Sequence, residues 1–331
     1  MEWLLSELRL IGLRFIDIGC RGDLDLNPHW HPLVPMMKYV GFDADPAEVA
    51  RRETTPHPFL SRKLYPLAVA GDIGESTLFI AREPACSSLL RPRAAWNARF
   101  LGSSFDEIGQ TTIRTTTLDH LADADGLRAD AMKIDSQGME LPILQASDRL
   151  LPGLFAIEVE TGLQANYHNE TTFDRAAAFL LRRGFLPFDM QLHRWRRPGA
   201  LPGVGRGQLM FAESLWLRDY LSDDTWGIPA PVPSRNDAIR ALAICWAGGF
   251  GDYGWELVSY FAARGLLTSA EETSLKTHDA WRGFPGEHRH GVLTMRLLPA
   301  KTRAWLSRVS MASLDQETLW SSVLRRLARH G

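Results

Sequence analysis

The residues best suited to chemistry fall at the ends of apolar runs that read as strands. Arg14-Phe15-Ile16-Asp17-Ile18-Gly19 is one such run, and Asp17-Ile18-Gly19-Cys20-Arg21-Gly22 carries an acid into a Gly-x-x-Gly turn. Glycine there lets backbone come close to a ligand, because no side chain blocks the approach. Dinucleotide binders use Gly-x-Gly-x-x-Gly, with the next helix N-terminus facing a pyrophosphate. Here the three-glycine pattern is incomplete, and Asp17 stands two residues before Gly19. That arrangement suits a cationic sulfonium ligand with an amino-acid tail better than a pyrophosphate. Asp43 ends a second strand, Lys38-Tyr39-Val40-Gly41-Phe42-Asp43, where a carboxylate can accept both hydroxyls of an adenosine ribose. Without a ligand, the same residues make a tight strand-to-helix turn and a solvated loop acid beside Asp45 and Glu48.

A third group is Lys133-Ile134-Asp135-Ser136-Gln137-Gly138-Met139-Glu140, which puts an acid and a glycine at the end of a central strand. Ligands of open α/β sheets bind at such ends. Glu158-Val159-Glu160 ends the next strand, and His168 lies in the polar loop Asn166-Tyr167-His168-Asn169-Glu170. Asp135, Glu160 and His168 are the candidate catalytic bases, with Glu158 beside them. Histidine is the residue type that titrates nearest neutral pH, which favours His168 for proton transfer. Glu158 and Glu160 share one strand face by period two. With Asp135 they could hold a divalent cation, but the pattern does not demand one and no metal is assigned. His29-Trp30-His31 in a proline-rich loop reads as a lid beside the ligand rather than a metal site. Arg91 and Arg93 could grip an anionic acceptor or remain a solvated pair.

These groups need a scaffold that brings strand ends together. Apolar spacing over residues 1–10 predicts a helix, followed by strands at 14–19, 38–43 and 64–69. Asp45 and Pro46 open a short helix to Glu53 as N-cap and first helical residue. Residues 76–81 and 111–117 read as extra strands around an irregular, proline-broken insertion over 82–106. Strands at 131–135 and 154–159, with a helix over 140–151 between them, resume the alternation. An amphipathic helix over 172–183, closed by Gly184, leads to a strand pair at 185–190 and 208–217. Strands alternating with crossovers make a doubly wound, mostly parallel α/β sheet, here of seven strands. The expected division is a ligand-binding domain over 1–222, a proline-rich linker over 223–235 and a helical region over 236–331. The last part is rich in Trp (Trp246, Trp255, Trp281, Trp305, Trp320) and ends in a basic helix with Arg325, Arg326 and Arg329.

Composition narrows the partners. The 331 residues carry 37 Lys and Arg against 39 Asp and Glu, a net charge of -2, so no basic footprint for nucleic acid is expected. Three scattered cysteines (Cys20, Cys86, Cys245) fit neither a disulfide framework nor a zinc site. No run of about 18 apolar residues occurs, so no bilayer-spanning helix is expected. A cytoplasmic protein is expected, with peripheral membrane contact through the basic last helix and homodimerisation left open.

Taken in order, these motifs resemble the FkbM family of methyltransferases. The resemblance rests on Asp17 to Gly22, Gly41-Phe42-Asp43, Pro66-Leu67-Ala68-Val69, Ser87-Ser88-Leu89, Thr117-Leu118-Asp119, Lys133 to Glu140, Glu158-Val159-Glu160 and Arg183-Gly184-Phe185. It covers about residues 13–218. Gln137 stands where many members carry Glu, and residues beyond 222 lie outside it. The resemblance implies a class I methyltransferase fold with S-adenosylmethionine as cofactor. It further implies O-methylation of a hydroxyl on a sugar-containing or secondary-metabolite acceptor, a small molecule or glycan. On this chain it places Asp17, Gly19 and Gly22 at the methionine end, Asp43 on the ribose, Ala68 and Val69 beside the adenine, and Asp135 between cofactor and acceptor. The residues alone leave two other readings open: a nicotinamide-dependent oxidoreductase and a non-catalytic binding module. The first calls for a full glycine fingerprint and a Tyr-x-x-x-Lys pair, which the chain lacks.

Overall fold

The computed structural model describes residues 1–22, 26–198, 205–221, 231–277 and 281. Four expectations fall wholly or partly outside them: the 199–204 part of the strand-pair loop, most of the 223–235 linker, Trp305 with Trp320, and the basic last helix. The described residues belong to one compact unit, Met1–Phe284, and a second unit, Pro285–Gly331, contains none of them.

Seven strands form the main sheet in the order β3 (Ser61–Tyr65), β2 (Met37–Phe42), β1 (Leu13–Ile18), β7 (Ala131–Ile134), β8 (Ala156–Gly162), β10 (Gln208–Arg218) and β9 (Phe185–Trp195). All neighbours pair in parallel except β10, which runs antiparallel to both β8 and β9. The chain winds outward from β1 to β3 and then restarts at β7 on the other side of β1. The C-terminal ends of β1 and β7 therefore flank the switch point, where successive connections leave in opposite directions and a crevice opens.

Strand alternation divides the core into two faces. Phe15, Tyr39, Ala131, Ala156 and Leu215 point to one face, under α1 (Glu2–Ile11), α7 (Arg235–Gly248) and α8 (Gly251–Ala263). Ile16, Ile18, Met132, Ile134, Ile157 and Trp216 point to the other, under α4 (Leu118–Ala124), α5 (Glu140–Gln145) and α6 (Phe173–Arg182). Helix α7 is buried from Ala238 through Cys245, as a helix enclosed by neighbours must be. It starts at a capping box of Ser234 and Asp237 and stops at left-handed Gly249.

Four local expectations change. The apolar run over 64–69 splits at Pro66, which has no N–H for a ladder: β3 ends at Tyr65 and β4 (Ala68–Val69) joins a second sheet. That sheet has the order β4-β6-β5, with β5 at Gly74–Ala81 and β6 at Glu107–Thr116. The 82–106 insertion contains α3 (Ala94–Leu101), a segment free of Pro and Gly that buries Asn97 and Phe100. Finally, α5 ends at Gln145 rather than near 151. The backbone N–H groups of Arg149 and Leu150 donate to the Asp119 carboxylate at 3.1 and 3.2 Å instead of continuing the helix. Helix α2 (Pro46–Thr54) starts as read, with the Ala47 N–H donating to Asp45 Oδ1 at 2.9 Å.

The edge of the sheet opposite the crevice is held by charge. Asp130 is buried and accepts from the Arg14 backbone N–H at 2.7 Å and from Arg14 Nε at 3.0 Å. Arg240 of α7 lies 3.2 Å from the same carboxylate and donates to the Gly12 carbonyl at 2.9 Å. Removing one member strands the other buried charges. Asp130→Ala is therefore expected to cost about 3–5 kcal/mol, seen as a lower urea midpoint at unchanged slope.

Candidate functional site

The floor of the crevice is the turn after β1. The N–H groups of Gly19 and Cys20 both donate to the Phe42 carbonyl at 3.0 Å, folding the turn across the end of β2. Gly19 has φ +82°, and a Cβ there would stand 1.8 Å from the backbone oxygen of Asp135. No other residue fits. Gly22, at φ +83°, has open space around it, and its N–H donates to Glu48 Oε1 at 2.9 Å.

Asp17 is 5% exposed, and its Oδ2 accepts from the Tyr39 hydroxyl at 2.6 Å. Its Oδ1 has no hydrogen-bond partner among the described residues. Burial pushes the Asp17 carboxyl up, while Lys133, Tyr39 and Arg52 pull it back. In-register pairing sets Asp17, Lys133 and Glu158 in one row across β1, β7 and β8. Asp43 is also buried: Oδ1 accepts from the Asp45 N–H at 2.7 Å, and Oδ2 lies 3.7 Å from Arg21 Nε. Burial raises the Asp43 carboxyl, opposed by the Asp45 N–H and the Arg21 charge.

The second sheet contributes Ala68, Val69, Leu78, Ile80 and the 111–114 segment to the crevice lining, which also includes Ser87-Ser88-Leu89. The crevice measures about 1210 Å³ and is lined by Asp17, Gly19, Gly22, Asp43, Ala68, Val69 and Asp135 together.

The three candidate bases separate. Asp135 lines the crevice, with Lys133 Nζ 3.8 Å from its Oδ2. Glu160 is not among the lining residues; it pairs across strands with Glu213, and burial plus the charges of Asp135 and Glu213 push its carboxyl well up. His168 is exposed and outside the lining, and its backbone N–H donates to the Arg91 carbonyl at 3.0 Å. Glu158, weighed as a metal ligand, is instead claimed by Trp30 Nε1 at 2.7 Å and His29 Nε2 at 2.9 Å. Burial pushes the Glu158 carboxyl up, but these two partners outweigh it and hold it below its usual range. His31 Nε2 meets the Leu26 carbonyl at 2.9 Å. Among the described residues no three His, Cys, Asp or Glu side chains are set to hold a metal ion. Arg91 pairs with Glu107 at 3.3 Å, and Arg93 donates to the Ala165 carbonyl at 2.9 Å, so both have partners within the protein.

Several participants escaped sequence reasoning. Tyr39 and Arg52 support Asp17, and Lys133 stands among the acids; only Lys133 could have been found, by its period-two spacing from Asp135. Gln137 bridges Asp135 and the buried Tyr167, a pairing across 30 residues with no local signature. Glu140 folds back on its own loop, accepting on Oε1 from Ser136 N, Ser136 Oγ and Gly138 N at 3.2, 2.9 and 2.9 Å.

Residues 19–187 match the family model of the methyltransferase FkbM domain. No curated protein matches the chain. Among solved structures, it is similar to magnesium protoporphyrin IX methyltransferase from Synechocystis with S-adenosylmethionine bound, at 12% identity and a TM-score of 0.33 over 66% of this chain and 76% of that one. It is also similar to precorrin-6y C5,15-methyltransferase from Geobacter metallireducens, at 16% identity and a TM-score of 0.30 over 66% and 86% of the two chains. No helix of the described residues is long and apolar enough to cross a membrane.

Burial raises the Glu140 carboxyl to about 8, so the folded state holds this proton more tightly than the unfolded chain does. A carboxyl raised on folding contributes stability below its unfolded value and loses it as pH rises through the folded value. Glu140→Gln keeps the neutral form at every pH. Between about pH 4.5 and 8 its unfolding midpoint should fall less than that of the parent, and the two curves should run parallel below that window.

Proposed function

Because the chain belongs to the FkbM methyltransferase family, we propose that it is an S-adenosylmethionine-dependent O-methyltransferase acting on a hydroxyl of a sugar-containing or secondary-metabolite acceptor. The observation that carries the reading is the buried Asp17 carboxylate, whose Oδ1 has no partner among the described residues, at a crevice where Gly19 admits no side chain. A buried acceptor oxygen wants a donor, and a carboxylate wants a cationic one. The ammonium of a methionine tail meets both demands, whereas a pyrophosphate would bring like charge to the same spot.

On this reading Gly19 and Gly22 let backbone lie against the methionine portion, and Asp43 accepts the ribose hydroxyls. Ala68 and Val69 offer small apolar contacts to the adenine. When bound, the cofactor supplies an electrophilic methyl group on a sulfonium. The protein holds the acceptor oxygen in line with it, and positioning alone can supply much of the rate. Asp135, the one candidate base that lines the crevice, takes the hydroxyl proton as the new oxygen–carbon bond forms and the sulfur–carbon bond breaks.

Calorimetry separates this from the alternatives. S-adenosylmethionine and S-adenosylhomocysteine should both bind and NAD should not. NAD binding alone would support a nicotinamide-dependent oxidoreductase, and no nucleotide binding would support a non-catalytic module. Asp43→Ala should weaken the two nucleosides by about 1–3 kcal/mol, the cost of leaving buried ribose hydrogen bonds unmade.

A further inference from the structure

Gln137 sits in left-handed backbone at φ +55°, a conformation side-chain-bearing residues rarely adopt. Its carbonyl accepts from Ser88 Oγ at 2.7 Å, which helps to fix that turn. The turn sends its side-chain amide between two groups: Nε2 donates to Asp135 Oδ1 at 2.8 Å, and Oε1 accepts from the Tyr167 hydroxyl at 2.8 Å. The same hydroxyl lies 2.9 Å from the Cys86 carbonyl oxygen. A phenol has one proton, and both neighbours are acceptors in this arrangement, so the hydroxyl satisfies one of them at a time.

Proton accounting gives the amide a second arrangement. With Asp135 ionised, Nε2 must face the carboxylate, Tyr167 donates to Oε1, and the Cys86 carbonyl goes without that proton. With Asp135 protonated, the reversed amide accepts the carboxyl proton on Oε1 and donates from Nε2 to the Tyr167 oxygen. The Tyr167 proton then turns to the Cys86 carbonyl. The ionised state makes two hydrogen bonds along this chain and the protonated state three, all by rotation of an amide and a hydroxyl in place.

We propose that Gln137 is the positioning residue for Asp135 and, through Tyr167, serves both protonation states of that carboxyl. The inference rests on the reading above, in which Asp135 receives the acceptor's proton. It gives that proton a prepared site, whereas a glutamate at this position would set a second carboxylate against the first and couple the two titrations. The titratable and charged groups that face Asp135 are Asp17 from β1, Lys133 from its own strand, Glu160 from β8, and Cys86 and Tyr167 from the loops. All but Tyr167 are unchanged in each variant below.

The test is calorimetry of S-adenosylmethionine and S-adenosylhomocysteine across acidic to mildly alkaline pH, in paired buffers of different ionisation enthalpy. The sulfonium charge makes the first ligand sensitive to ionisation near it, and the second is its uncharged control. Gln137→Glu should split the acid limb of S-adenosylmethionine binding into two steps, the upper one at higher pH than the parent's limb by about one unit or more, and release extra protons on binding. Tyr167→Phe should move the limb the other way, because the protonated arrangement loses two hydrogen bonds and the ionised one loses one. S-adenosylhomocysteine should show smaller shifts in both. A merely structural role would weaken both ligands together without opposed shifts. Gln137→Leu, which cannot bond in either state, should cut the preference for the charged ligand severalfold. Parent protein that binds S-adenosylmethionine beside variants with unmoved or same-direction limbs overturns this inference alone. Parent protein that binds neither nucleoside overturns the functional reading and this inference with it.

Discussion

The end of β1 and the end of β7 approach so closely that only a glycine fits between them. A Cβ on Gly19 would stand 1.8 Å from the Asp135 carbonyl oxygen, inside any tolerable contact. That approach sets Asp17, one residue before the end of β1, and Asp135, one residue past the end of β7, at one crevice, and makes Lys133 a neighbour of both. It also brings several acids into partly dry surroundings, which is costly unless donors and cations answer them. Tyr39, Arg52 and Lys133 answer Asp17; the Asp45 N–H and Arg21 answer Asp43; Gln137 answers Asp135. Asp17, a residue of the crevice lining, keeps a buried Oδ1 with no hydrogen-bond partner among the described residues.

The rest of the fold can be read as support for that approach. Two apolar faces, one under α1, α7 and α8 and one under α4, α5 and α6, fix the sheet so that its strands cannot slide. A one-residue slip would exchange Asp17 for Ile16 or Ile18 and turn the acid row into the core. The Arg14–Asp130–Arg240 cluster locks register at the opposite edge, where β1 and β7 begin. Above the apolar layer the same sheet face turns polar at Asp17, Lys133 and Glu158, and Trp30 with His29 covers Glu158 there. The change from apolar to polar along each strand marks where the core stops and the site starts.

What could be read in the sequence was local. The Asp17 to Gly22 turn, Asp43 and Asp135 each announce themselves by an acid or glycine at the end of an apolar run, and the structure brings all of them to one crevice. The second sheet was half visible, as threonine-rich and alternating segments; its first strand was hidden inside an apolar run, and only the missing N–H of Pro66 separates it. Helix α3 was hidden by the prolines around it. The missed contacts are long-range: Tyr39 on Asp17, Tyr167 on Gln137, His29 on Glu158. No pattern in a single chain says which distant side chain will fill a donor's reach, because tertiary packing decides it. His168 shows the converse. Its residue type and loop position favoured it, yet proton transfer needs hydrogen-bond reach of the reacting atom, and the structure leaves it exposed and outside the lining.

Charge balance ties these observations to the proposed chemistry. Asp17, Asp43 and Asp135 line the crevice, with Arg21, Arg114 and Lys133 among the cations beside them. Arg21 is committed to Asp45 at 2.8 Å, and Lys133 lies within the acid row. The buried Asp17 Oδ1 still lacks a donor among the described residues. The product of methyl transfer differs from the substrate pair by one cation lost at sulfur and one proton gained nearby. A site that binds through carboxylates must absorb that proton without losing its shape. The neutral amide of Gln137, able to face Asp135 with either end, meets that requirement.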